Sequence, residues 1–258
     1  MQNLDWFFLK LQQFTHVRLY EHDSVIIFDE VEYFPRARQV IKYLVADGRY
    51  KYLETGSYLE RKKNLQNILI PSEELKLTLI PLDFEEFLYA NGFNEIAINS
   101  IHAKFIKKES LESTIHNRLL DLFKKYLLTG GLPDAINSFI NDRNIFNIRK
   151  IQSDIYDYYG DGASKYDKDH KLKIKRIYDL IPSNLEDKKK RVVVKNIENI
   201  KGKRFSNYQD EFDFLINSGI ALEVKAISTP VFPLIESSGK NLLKLYLNDA
   251  GLLSNIFI

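Results

Sequence analysis

The sequence predicts an α/β fold at its start, then a run of helices, then helices joined to a two-stranded hairpin. Three observations carry this expectation. Short β-branched apolar runs alternate with helical patterns up to about residue 98. From about residue 100 to 156 only helical spacing remains. Two strand-like runs then flank a loop containing Pro230, Pro233 and Gly239. A brief continuous apolar run between polar residues is the mark of a parallel strand covered on both faces, and strand–helix alternation builds an α/β layer.

The elements follow in order. Leu4, Phe7, Phe8, Leu11 and Phe14 fall at helical spacing, so residues 4–15 predict an amphipathic helix. Ser24 to Phe28 predicts a parallel strand buried on both faces. Residues 36–46 predict a helix closed by Gly48. Lys51 to Glu54 reads as a second strand and Leu77 to Ile80 as a third, before a helix over 83–90. Leu119, Leu120, Phe123, Leu127 and Leu128 are spaced as one buried helix face that ends at Gly130-Gly131-Leu132-Pro133. The polar, glycine-containing residues 160–170 predict a domain boundary. Helices over 172–181 and 206–218 follow, the latter with Ser206 as its cap, Gln209 three residues on and Gly219 as its stop. ALEVKAIS and NLLKLYLN predict the closing hairpin, an order that matches a winged helix.

Composition bounds the chemistry. The 258 residues are 45% hydrophobic, enough for a sizeable core. A formal net charge of +2 predicts neither a nucleic-acid protein nor an acidic one, so local charge matters more. With no cysteine, disulfides, thiolate zinc sites and cysteine nucleophiles are excluded. No apolar run approaches the ~20 residues of a membrane helix. Asp5 within MQNLDWFFLKLQQF argues against a signal peptide, and the expected location is cytoplasmic. The five histidines show no ligand spacing.

One motif carries chemistry. SVIIFDE, from Ser24 to Glu30, is an apolar strand ending in Asp-Glu. This is the Walker B pattern of phosphate-loop ATPases, in which burial of the strand fixes the carboxylates at the edge where ligands bind in open α/β sheets. Asp29 would hold Mg2+ through water, since that cation takes oxygen ligands and keeps its hydration shell. Glu30 would orient and polarise the attacking water. A second strand ends at Thr55-Gly56-Ser57, where the Thr55 or Ser57 hydroxyl would sense the terminal phosphate.

Four blocks in order resemble one family: FDEVEYFPRARQVIKYLVADGRYKYLETGSYLE, ILIPSEELKLTLIPLDFEEFLYANG, YLLTGGLPDAINSFI, and the stretch from Phe205 to Ile256. They are similar to prokaryotic AAA-type ATPases that carry a winged helix and usually a C-terminal nuclease-like domain. The resemblance implies a partial AAA-type P-loop core over 1–98 with Walker B and sensor residues. It also implies a helical lid over 99–160 and a winged-helix domain over 161–258. It implies ATP and Mg2+ as cofactors. It places Asp29, Glu30, Thr55 and Ser57 in catalysis, and Gly131 and Pro133 against the nucleotide.

The chain departs from that family at both ends: it lacks the initial strand, glycine-rich loop, helix and second strand, and it stops where a nuclease-like domain would usually begin. Gly-Lys occurs only at Gly202-Lys203 and Gly239-Lys240, neither followed by Ser or Thr. A phosphate-binding loop needs that signature, because its backbone N–H groups and lysine hold the phosphates. The expectation is therefore a fragment, truncated at both ends relative to the family, whose missing half would come from elsewhere. The alternative is an ATP-incompetent module that binds DNA or a protein. From Lys165 to Arg204 there are 14 Lys/Arg against 6 Asp/Glu, which makes Lys188, Lys189, Lys190 and Arg191 candidate contacts to DNA phosphates. Glu223 and Lys225, an apparent Glu-x-Lys nuclease pair, read better as solvent-facing residues of an alternating strand.

Overall fold

The computed structural model describes residues 4–56, 75–165, 171–188, 190–200, 202–232, 234 and 243–257. Two compact units divide it, Met1–Thr78 and Leu79–Ile258.

The first unit is built on a parallel strand pair. Helix α1 spans Leu4–Thr15, strand β1 Val25–Phe28, helix α2 Pro35–Asp47 and strand β2 Lys51–Glu54. The register runs from Val25↔Lys51 to Phe28↔Glu54. One face of this pair is covered: Ile26 packs with Phe8 of α1 and with Ile41 and Leu44 of α2, all four buried. Leu4, Phe7 and Leu11 complete the expected stripe of α1, whereas Phe14 lies outside it, 87% exposed. Helix α2 ends as expected at Gly48, which takes the left-handed conformation (φ 76°) at no steric cost.

The other face of the strand pair differs from expectation. Val25 and Ile27 are 52% and 59% exposed, and Leu53 is 48% exposed. The parallel pairing inferred from the apolar run is present, but burial on both faces is not. A strand needs a second covering layer for that, and among the described residues α1 and α2 supply only one. The third strand expected at Leu77–Ile80 is also absent. Residues 75–83 have no regular structure, and Leu77 and Leu79 are 78% and 98% exposed. An alternating sequence becomes a strand only when its backbone N–H and C=O groups find a partner edge.

The second unit is mainly helical. Helix α3 (Phe84–Ala90) opens with a capping box: Asp83 accepts the Glu86 N–H at 2.9 Å while Glu86 accepts the Asp83 N–H at 2.9 Å. Helices α4 (Glu95–Lys107), α5 (Ser113–Thr129) and α6 (Pro133–Asn141) follow. Phe87, Leu88, Ile98, Leu122 and Ile136 form their core, so α3 belongs to this unit rather than to the one before it. The buried stripe of α5 is not the one the sequence suggests. Leu122 is buried with Leu119 and Tyr126 against it, whereas Leu120, Phe123, Leu127 and Leu128 are 40–45% exposed. Apolar residues surround more than half of this helix, and spacing alone does not say which arc meets the core.

Helix α7 (Ile145–Lys165) continues through Gly160 and Gly162, so the loop expected from residue 160 is helical as far as 165. Residues 166–170 lie outside the described residues. A Cβ at Gly160 would lie 3.1 Å from Lys175 Nζ and 3.6 Å from the Tyr178 ring, the latter an ordinary contact. Helices α8 (Lys171–Asp179), α9 (Ile181–Glu186), α10 (Lys195–Glu198) and α11 (Gln209–Asn217) lead to strands β3 (Ala221–Lys225) and β4 (Leu243–Leu247) and the final helix α12 (Ala250–Phe257). The hairpin is antiparallel, as expected, with Ala221↔Leu247 and Lys225↔Leu243 in register. Before α11 the chain makes a 3-10 turn over Phe205–Tyr208. There Asn207 accepts the Arg204 N–H at 2.8 Å, so the turn starts one residue before Ser206, the expected cap. Lys225 pairs with Glu223 at 3.1 Å, a surface ion pair on the strand.

Candidate functional site

Asp29 and Glu30 follow β1 directly, and Thr55 follows β2. Because the strands run parallel and in register, their C-terminal ends finish side by side. The backbone ladder continues past both: Thr55 N–H donates to the Phe28 carbonyl at 2.9 Å and Val31 N–H to the Thr55 carbonyl at 3.0 Å. Thr55 then joins the two acids. Its hydroxyl donates to the Asp29 carboxylate and accepts the Glu30 N–H, the latter at 3.1 Å. One side chain thus fixes the orientation of Asp29 and the backbone of Glu30.

Glu30 adopts φ 50°, ψ 46°, a left-handed conformation that costs a non-glycine residue about 1–3 kcal/mol. The Thr55 bond and the ladder at Val31 hold it there. Both carboxylates face solvent.

Beneath this corner lies an ion pair that sequence reasoning missed. Arg38, in the first turns of α2, is 3% exposed and donates to Glu54 Oε2 at 3.0 Å. Glu54 shares the covered face with Ile26 and Tyr52 and directly precedes Thr55. An acid closing β2 on the same face as Tyr52 was the available signal, with an arginine at the start of the preceding helix as its partner. Tyr52, on the same face, has its hydroxyl pushed up to about 12 by burial.

Asp29, Glu30 and Thr55 come together as expected. Ser57 and Lys189 lie outside the described residues. Gly131 and Pro133 belong to the second unit. A Cβ on Gly131 would meet the Leu82 carbonyl oxygen at 1.9 Å, and its N–H donates to Asp249 Oδ2 at 2.5 Å. Pro133 is the first residue of α6. Burial raises the Asp249 carboxyl above its ordinary value, against the N–H groups of Gly131, Leu252 and Gly251 that favour its charged form. Lys188 and Lys190 are exposed on the turn after α9, and Arg191 is half-buried beside them.

The donor set of the corner fits a hydrated magnesium ion: two carboxylates and a hydroxyl, oxygen only, with one Asp29 oxygen engaged by Thr55. It does not fit a phosphate cradle, because the N–H groups of Glu30 and Val31 are spent on Thr55. Among the described residues no three His, Asp or Glu side chains converge as direct metal ligands. No described helix is long and apolar enough to cross a membrane.

This corner lies within a stretch that comparison assigns to a known class: residues 2–88 match the profile of the AAA domain. A second profile, described as a domain of unknown function (DUF8612), matches residues 120–257, more than half of the chain, and the protein belongs to that family. No curated protein and no solved structure matches.

Proposed function

We propose that the first unit carries the metal- and water-handling half of an AAA-type ATP site. The observation supporting this most directly is the Thr55 hydroxyl, held between the Asp29 carboxylate and the Glu30 backbone at the ends of two parallel strands. When bound, Mg2+ would supply charge neutralisation of the phosphates. Asp29 would hold its hydration shell, Glu30 would accept a hydrogen bond from the attacking water, and Thr55 would keep both in place. The phosphates need backbone N–H groups and a lysine from a loop that these residues do not provide. That loop would come from another segment or another chain.

Titration of the purified protein with Mg-ATP by calorimetry tests this reading, with Asp29→Ala and Glu30→Gln alongside. Saturable binding that weakens at least tenfold in Asp29→Ala supports it. Folded protein with no binding, even in millimolar nucleotide, refutes it for this polypeptide.

A second reading is a binding module in the C-terminal half. It is favoured by helices leading into an antiparallel hairpin, the element order that the winged-helix reading expects, with the chain bonded to the hairpin just after the basic residues Lys188, Lys190 and Arg191: Val192 N–H donates to the Leu243 carbonyl at 2.9 Å. DNA phosphates or a protein surface are the partners such a turn would meet.

A further inference from the structure

We infer that the groove between α9, α12 and the outer face of the hairpin receives an acidic amphipathic helix of a partner protein. This deepens the binding-module reading by choosing its partner, and it is independent of the ATP site.

The groove has a volume of about 390 Å³ and is lined by Leu185, Glu186, Lys190, Tyr246, Leu253 and Phe257. Its floor is apolar and accessible: Phe257, on the last turn of α12, is 50% exposed. Strand alternation extends this surface. Leu243, Leu245 and Leu247 point inward and are at most 5% exposed, which leaves Lys244 and Tyr246 on the outer face. Their register partners there are Val224 and Leu222, 49% and 53% exposed. Apolar side chains therefore run from α12 across both strands, where a solvent-facing strand surface is ordinarily polar.

The neighbourhood supplies the charge argument. Of the lining residues Glu186 and Lys190 are charged; beside them in the chain stand Lys188 and Arg191 against Asp187, and Lys244 shares the outer strand face with Tyr246. The turn is fixed in place. Lys190 takes a left-handed conformation (φ 47°), its N–H bonds to the Asp187 carbonyl at 2.9 Å, and Val192 pairs with β4. A helix laid in a groove presents apolar anchors at i, i+3 or i+4 and i+7. Acidic residues on its flanks would meet the lysines. Duplex DNA would use the lysines but leave Phe257, Tyr246, Leu222 and Val224 without partners, so the apolar floor favours a peptide over a phosphate backbone.

The test is fluorescence anisotropy with a labelled, designed 16-residue helical peptide carrying Leu and Phe anchors on one face and Glu on the other. Two controls keep its length: one with Ser in place of the anchors, one with Lys in place of Glu. The expected result is saturable binding of the first peptide only. Phe257→Ser should weaken it roughly tenfold, as loss of an aromatic anchor does. Lys190→Glu should weaken it severalfold and reduce its salt dependence. Both residues are exposed, and unchanged circular dichroism melts would show that the variants fold. Equal binding of the Ser peptide would overturn the inference, because the floor would then contribute nothing. So would no binding at all, or self-association of the chain abolished by Phe257→Ser, which would make a second copy the occupant. Duplex DNA binding lost in Lys190→Glu, with no peptide binding, would also overturn it and leave the module reading standing. Failure of every probe would remove both.

Discussion

Replacing Gly131 by alanine tests whether the two-glycine turn serves the fold of the second unit or a ligand. The added methyl would lie 1.9 Å from the Leu82 carbonyl oxygen and 2.7 Å from its nitrogen, both backbone atoms that cannot swing aside. The turn or residues 81–83 would have to retreat by more than 1 Å, on the order of overpacking costs of about 1–3 kcal/mol. Two hydrogen bonds would stretch with it: Leu82 N–H to the Gly131 carbonyl, 2.8 Å, and Gly131 N–H to buried Asp249, 2.5 Å. Each contributes about 1 kcal/mol, so the total loss is about 3–5 kcal/mol. For a unit of this size that lowers Tm by about 8–15 °C. Urea and thermal melts followed by circular dichroism read it directly. A loss below about 1 kcal/mol would refute the reasoning. A normal melt with weakened nucleotide binding would return Gly131 to the role the sequence suggested.

Other perturbations separate the remaining claims. Arg38→Ala strands Glu54 beneath the candidate site, and breaking a buried ion pair costs about 3–5 kcal/mol, so a melt within about 1 kcal/mol of wild type would contradict the burial seen here. Ile27→Ser should cost less than about 1 kcal/mol because Ile27 is largely exposed, whereas Ile41→Ala, at a site 2% exposed, should cost about 2–5 kcal/mol. Comparable losses at the two sites would show that the outer sheet face is covered in solution. Tyr208 donates to Glu198 at 2.6 Å, and this bond holds the Glu198 carboxyl below its ordinary value of 4.5. The stabilisation it brings is present above that value and lost as pH falls through the lowered one. The stability gap between wild type and Tyr208→Phe should therefore narrow below pH 4.5, and a gap that widens on acidification would contradict the assignment.

Much of the candidate site was legible because it depends on local order. A β-branched run followed by Asp-Glu, and a second strand followed by Thr, bring two acids and a hydroxyl to one corner once the strands pair in parallel, and that pairing needs only register. The capping box at Asp83 and the stop at Gly48 are local in the same sense. Burial was less legible. Ile27 looks the same in sequence whether a second layer covers it or not, and the arc of α5 that meets the core depends on where α3 and α6 lie. The close packing at Gly131 was illegible for a related reason: its partners, Leu82 and Asp249, are 49 and 118 residues away in the chain. Nothing in GGLP itself distinguishes a backbone packed against backbone from one that faces a ligand.

The same distinction bears on the acid pair. Thr55 is intelligible as more than a phosphate sensor, because its hydroxyl is already committed to Asp29 and to the Glu30 backbone before any ligand is considered. Removing the hydroxyl would free Asp29 to rotate and remove one support of the left-handed backbone at Glu30. An effect of Thr55→Val on metal or nucleotide binding would therefore act through the positions of both acids. The buried Arg38–Glu54 pair extends this support inward, anchoring the end of β2 to α2. The corner is held by the covered side of the sheet, while Val25, Ile27 and Leu53 on the opposite side remain exposed. A phosphate-binding segment supplied from elsewhere, as proposed above, would have this exposed apolar face to pack on.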